Sequence, residues 1–66
     1  MRVVVNGQDQ RLELETTVGA LVASHRFNPK HVAVEVNEEL VPRRLYESTP
    51  LGEGDRVEIV TLVGGG

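Results

Sequence analysis

Apolar residues change their spacing twice along this chain, from every second position to a helical spacing and back again. A chain with that pattern has to set one amphipathic helix against strands. Val3-Val4-Val5 is β-branched and ends at Asn6-Gly7, the strongest short hairpin signal when an apolar run follows. The second strand is expected at Arg11-Leu12-Glu13-Leu14-Glu15, whose strict alternation puts Leu12 and Leu14 on one face and three charges on the other. At Thr17 the period changes. Val18, Leu21, Val22 and His25 follow the i, i+3, i+4, i+7 spacing of a helix, with Thr17 as its N-cap. No capping box supports it, because Ala20 stands three residues on, and Gly19 costs about 1 kcal/mol relative to alanine. This helix therefore depends on packing, and Asn28-Pro29 bounds it, since a residue before proline is pushed out of the helical region.

Period two then returns. Val32, Val34 and Val36 alternate with Ala33 and Glu35, the strand breaks at Asn37-Glu38-Glu39, and Leu40-Val41 resumes it briefly before Pro42. Arg43 to Leu51 reads as a connector with one helical turn. Gly52-Glu53-Gly54-Asp55 is a turn cluster, and Arg56 to Val63 is the longest strand candidate. The order of hairpin, helix, short hairpin and long strand is that of an α+β architecture. If the first and last strands lie parallel and side by side, it is a β-grasp, or ubiquitin-like, roll. The expectation is a mixed sheet of about five strands with one main helix packed on one face, over residues 1–63, and a flexible glycine tail over 64–66. The core is then expected from Val3, Val5, Leu12, Leu14, Val18, Leu21, Val22, Phe27, Val32, Val34, Val36, Leu45, Leu51, Val57 and Ile59. The opposite parity leaves Val4, Ala33, Val60 and Leu62 on the uncovered face, either as a partner surface or as the incomplete burial normal in so small a protein.

Size sharpens the constraint. A 66-residue chain buries only about 60% of its unfolded surface, and without cysteine it has neither a disulfide staple nor a thiol nucleophile. The formal net charge is −3 and the basic residues are scattered, which argues against nucleic acid as a partner. No stretch approaches the ~20 apolar residues of a membrane span, and the N-terminal valines are too few for a signal peptide. The chain is expected in the cytoplasm.

No catalytic constellation emerges. His25 and His31 have no close carboxylate at metal-ligand spacing, and the hydroxyl residues lie in no nucleophile motif. Glu38-Glu39 reads as a solvated turn. Arg43-Arg44 is a weak site for a carboxylate or phosphate beside the simpler reading of ordinary solvation, and Gly52-Glu53-Gly54 precedes a strand, so no helix N-terminus completes a phosphate loop. The terminal Gly64-Gly65-Gly66 stands out by position. Composition fits a plain tail as well, but three extended glycines reach about 10 Å and can thread a slot that rejects any side chain. The reactive group would then be the terminal carboxylate, offered to another protein's active site.

Two stretches carry a resemblance. Val36-Asn37-Glu38-Glu39-Leu40-Val41-Pro42-Arg43 looks like a V-N-x-x-x-V-P-R hairpin, and Leu51-Gly52-Glu53-Gly54-Asp55-Arg56-Val57-Glu58-Ile59-Val60 runs on toward the glycines. With these the whole chain resembles the ThiS family of thiamin-biosynthesis sulfur carriers. The resemblance implies a carrier and not an enzyme. An E1-like activating enzyme (ThiF) would adenylate the Gly66 carboxylate, with Gly65 and Gly64 threading its channel. Sulfur drawn from a cysteine desulfurase would convert the carboxylate to a thiocarboxylate, and thiazole synthase (ThiG) would accept it. ATP and magnesium would belong to the activating enzyme, leaving this chain without a cofactor. Strand parity nominates Val4, Val60 and Leu62 for docking that enzyme. Related carriers for molybdopterin synthesis or tRNA thiolation, and a β-grasp interaction module with an inert tail, remain alternatives; a small RNA-binding barrel is disfavoured by charge and by only two aromatic residues, Phe27 and Tyr46.

Overall fold

The hairpin signal at Asn6-Gly7 is realised by backbone geometry. Asn6 (φ 49°) and Gly7 (φ 82°) both occupy the left-handed region, as a two-residue turn matched to strand twist requires. The computed structural model describes residues 1–62, and the expected tail Gly64-Gly65-Gly66 lies outside the described residues. The turn joins strand β1 (Arg2–Val5) to β2 (Gln8–Arg11), with Val5 opposite Gln8 and Arg2 opposite Arg11. So tight a turn decides where the ladder ends. Residues 8 to 12 are consumed against 5 to 1, and the last rung is Leu12 with Met1, through Leu12 N–H to Met1 O at 2.8 Å.

The expected strand at Arg11–Glu15 is corrected by this register. Its alternation is real, but the pairing with β1 ends at Leu12, and Leu14 and Glu15 lie in a turn. Leu12 remains partly buried against the core, whereas Leu14 moves into a turn, 77% exposed, and leaves the expected core. Glu15 follows with φ 67°.

Helix α1 (Val18–Ser24) begins as expected, with the Thr17 hydroxyl accepting from Ala20 N–H at 3.1 Å. It buries Val18, Leu21 and Val22. Its end is made by two backbone bonds, Phe27 N–H to Val22 O and Arg26 N–H to Ala23 O, the six-to-one and five-to-two pair of a Schellman motif. Arg26 takes the left-handed position (φ 62°) usually given to glycine. Asn28 then caps a 3₁₀ turn, Pro29–His31, which delivers the chain to β3 (Val32–Val36). A second two-residue turn at Asn37-Glu38, again with both φ positive, leads to β4 (Glu39–Val41). A 3₁₀ segment, Arg43–Ser48, and the turn at Gly52–Asp55 bring in β5 (Arg56–Thr61).

The sheet order is β2-β1-β5-β3-β4. β5 is parallel to β1 and antiparallel to β3, so first and last strands meet at the centre of the β-grasp. One face of this sheet packs on α1, and of the expected core residues Val3, Val5, Val18, Leu21, Val22, Val32, Val34, Leu51, Val57 and Ile59 are buried. Leu12, Phe27, Val36 and Leu45 pack partly buried against them. Val41 and Tyr46, not anticipated, complete the core. Val41 enters from the end of β4, paired with Val34, and Tyr46 from the 3₁₀ segment, with its hydroxyl directed at Val32 O, 3.5 Å away.

Two asparagine side chains hold β5. Asn6 accepts from Ile59 N–H at 2.8 Å and donates to Ile59 O at 3.2 Å, continuing the β1–β5 ladder after β1 has turned away. Asn37 accepts from Arg56 N–H at 2.9 Å and donates to Asp55 Oδ1 at 3.0 Å. Asn6→Ala removes both contacts to Ile59 and a residue suited to positive φ, and should cost about 1–3 kcal/mol in urea denaturation. Asn6→Asp, which keeps the acceptor, should lose less; equal losses in the two variants would count against the clamp.

Candidate functional site

The face of the sheet opposite α1 carries the even-numbered residues of β5. Arg56, Glu58 and Val60 project there, and the register adds one neighbour to each: Val4 beside Arg56, Glu35 beside Glu58 and Ala33 beside Val60. β4 contributes Leu40, paired with Glu35. Leu62 continues the line, tied by its N–H to His31 O at 2.8 Å.

Val60 and Leu62 are therefore brought together with Ala33 and Leu40 as an exposed apolar patch. Leu40 is 66%, Val60 56% and Leu62 47% exposed. An open hollow lies between Ala33, Leu40, Pro42 and Leu62. Val4 is on the same face but apart, paired with Arg56, four residues and thus about 13 Å along β5 from Val60. Leu40 was missed by parity reasoning because the alternation is interrupted at Asn37-Glu38. Treating those two residues as a complete hairpin turn sets Glu39 opposite Val36 and Leu40 opposite Glu35, which recovers it.

The other polar candidates are occupied elsewhere. His25 caps the C-terminus of α1, meets Gln10 Oε1 through Nε2 at 3.0 Å and stacks on Phe27 with ring centroids 6.0 Å apart. His31 contributes its backbone carbonyl to Leu62. Arg43 spends its guanidinium on two carbonyls, Pro29 O at 2.9 Å and Lys30 O at 3.2 Å, while Arg44 is exposed. In the Gly52–Asp55 turn, Asp55 Oδ2 accepts from Gly52 N–H at 2.7 Å and Glu53 Oε1 from Arg2 N–H at 2.9 Å, so its carboxylates serve the turn. Among the described residues no three His, Asp or Glu side chains gather as metal ligands, and no helix is long and apolar enough to cross a membrane. The geometry is that of a surface leading toward a chain end.

A family model described as ThiS family matches residues 3–66. The chain belongs to the ThiS family. This is a family of small sulfur carriers, not of catalysts. The sulfur carrier protein ThiS of Bacillus subtilis is 38% identical over 63 residues, covering 94% of this chain and 96% of that protein. A thiazole synthase of Paramagnetospirillum magneticum is 38% identical over all 66 residues, and the chain spans only 20% of that longer protein. The crystal structure of the thiamine biosynthesis protein (ThiS) from Geobacter metallireducens superposes with a TM-score of 0.85 at 29% identity, covering both chains fully. The family match runs through Gly64, Gly65 and Gly66, which lie outside the described residues.

More than half exposed, Leu40 and Val60 contribute little to folding. The double variant Leu40→Ser, Val60→Ser should change unfolding free energy by less than about 1 kcal/mol. A loss above about 2 kcal/mol in urea titration would show that these side chains belong to the core and not to a free face.

Proposed function

We propose that this chain carries sulfur for thiamin biosynthesis as a thiocarboxylate on Gly66. The observation that carries the reading is the ThiS-family match over residues 3–66. It is supported by exposed apolar residues that border the exit of β5, and by the engagement of His25, Arg43, Glu53 and Asp55 in contacts within the fold.

The chemistry belongs to the chain end. A carboxylate resists nucleophiles because its oxygen is a poor leaving group, so an activating enzyme must first form the acyl adenylate from ATP and release pyrophosphate. The persulfide of a cysteine desulfurase then attacks the carbonyl carbon and AMP departs, leaving an acyl disulfide, and a thiol reductant cleaves its S–S bond, freeing the thiocarboxylate and ending as the disulfide. With no cysteine in the sequence, the carboxyl terminus is the place on this chain where sulfur can be held. Thiazole synthase is the acceptor in this reading. ATP and magnesium are bound by the activating enzyme, and this chain supplies no cofactor site. In this reading the chain works in the cytoplasm.

Gly65 and Gly64 thread the enzyme's channel, where a Cβ has no room. Val60 and Leu62, with Ala33 and Leu40, dock the activating enzyme, and Val4 marks the far limit of the same face.

The deciding measurement is high-resolution intact mass with C-terminal fragmentation, after incubation with ATP, the activating enzyme, a persulfide donor and a thiol reductant. A sulfur-for-oxygen exchange confined to Gly66 is expected; high resolution separates it from oxidation of Met1, which adds nearly the same mass. No exchange with an active enzyme and donor would overturn the carrier reading in favour of an interaction module. Gly66→Ala should slow ATP–pyrophosphate exchange by on the order of a hundredfold with an unchanged circular dichroism spectrum. Leu62→Asp should weaken the complex about tenfold to a hundredfold, the equivalent of one buried leucine, and an unaltered affinity would remove Leu62 from the interface.

A further inference from the structure

The short 3₁₀ turn Pro29–His31 presents three successive carbonyls, and each is taken by a residue from a distant part of the chain. In a longer helix Pro29 O and Lys30 O would accept from N–H groups further along, but the backbone is extended from Val32 on, which leaves them without helical donors. Arg43 supplies the donors: its Nε–H reaches Pro29 O at 2.9 Å and its Nη2–H reaches Lys30 O at 3.2 Å. The third carbonyl, His31 O, accepts from Leu62 N–H at 2.8 Å, one residue past the last pair of the β3–β5 ladder, Val32 with Thr61. Arg43 and Leu62 line the same open hollow. The turn's own brace is Asn28, whose Oδ1 accepts from Lys30 N–H at 2.9 Å.

We propose that Arg43 is a positioning residue for the carrier's reactive end: it holds the Pro29–His31 turn, and the turn holds Leu62, the residue from which the last four residues of the chain continue. A guanidinium is a rigid planar fork, and its bonds to carbonyls are charge-assisted. Gripping two adjacent carbonyls fixes the turn against rotation as well as translation, and so fixes the direction of the next carbonyl, His31 O. Four residues reach at most about 14 Å, so the place of Leu62 sets the space that the Gly66 carboxyl can search. With the Leu62 rung formed, the backbone there is already ordered before docking. Without it, that ordering is charged to the binding step. Arg43 is exposed, so its contacts act on this corner of the fold more than on the stability of the whole domain.

This inference rests on the carrier reading and adds what fixes the root of the tail. Arg43→Met keeps the aliphatic stem and removes every donor, and Arg44→Met removes the same charge from the exposed neighbour. In amide hydrogen exchange, Arg43→Met should speed Leu62 about tenfold while Ile59, whose N–H is held by Asn6 Oδ1, stays within about twofold. In ATP–pyrophosphate exchange with the activating enzyme, KM for the carrier should rise about threefold to tenfold with kcat within about twofold, because the loss falls on ordering before chemistry. Arg44→Met should leave both constants unchanged. Unaltered exchange at Leu62, or an unaltered KM, would overturn the inference. Equal acceleration at Leu62 and Ile59 would overturn it too, by making Arg43 a support of the whole domain, and an equal rise of KM in Arg44→Met would trace the effect to surface charge instead. Each of these results leaves the carrier reading standing. An unsubstituted chain that supports no pyrophosphate exchange with an active enzyme overturns both.

Discussion

The pairing of β5 with β1 is the interaction on which the rest of the molecule depends. These are the last and first strands of the chain, and they meet in parallel through only two paired positions, Val4 with Arg56 and Val5 with Val57. The strand pairings that do not involve β5 are local: β1 has its hairpin partner β2, and β3 has β4. Without β5 between them, those hairpins share no hydrogen bond, and α1 has no continuous surface to cover. Short parallel ladders are weak, which explains the use of Asn6. Its side-chain amide reproduces a donor and an acceptor of the missing next residue of β1 and carries the contact to Ile59. Asn37 grips the other edge of the same strand at Arg56. Each asparagine thus does two jobs, occupying the left-handed turn and fastening the central strand.

Much of this architecture was legible because the apolar spacing was clean. The β3 alternation is buried at Val32 and Val34, and Thr17 caps the helix where the period changes. Misreadings arose where a non-local constraint overrode a local pattern. Leu12 and Leu14 alternate as a strand should, but the ladder set by the turn at Asn6-Gly7 ends at Leu12, and Leu14 lies in a turn. Tyr46 entered the core from a connector whose 3₁₀ geometry has no amphipathic signature of its own, and Val41 from β4, whose facing depends on its register with β3. The asparagine clamps are invisible locally, since their targets lie 53 and 19 residues away.

The candidate site divides in the same way. Val60 and Leu62 were marked by parity along one strand, whereas Leu40 required the register of a second hairpin, and the separation of Val4 required the offset between β1 and β5. The hold of Arg43 on the carbonyls of Pro29 and Lys30 needed the pairing of β4 with β3, which no spacing within one strand reveals. Gly66 is a different matter. Its proposed role rests on chemistry that a carboxylate would undergo in another protein's active site, and the family relationship, more than any packing argument, suggests the link with sulfur.

The central place of β5 also bears on how the polypeptide is made. Synthesis proceeds from the N-terminus, so both hairpins and the helix are complete before the strand that joins them exists. Pairing first with last requires closure of nearly the whole chain, the kind of long-range contact that delays folding. A polypeptide broken off before Arg56 holds two hairpins with an unfilled gap between them, and its unpaired strand edges invite aggregation and proteolysis. Folding thereby serves as an inspection step: a chain that has reached the compact state has been translated through the strand that precedes Gly64, Gly65 and Gly66 in the sequence.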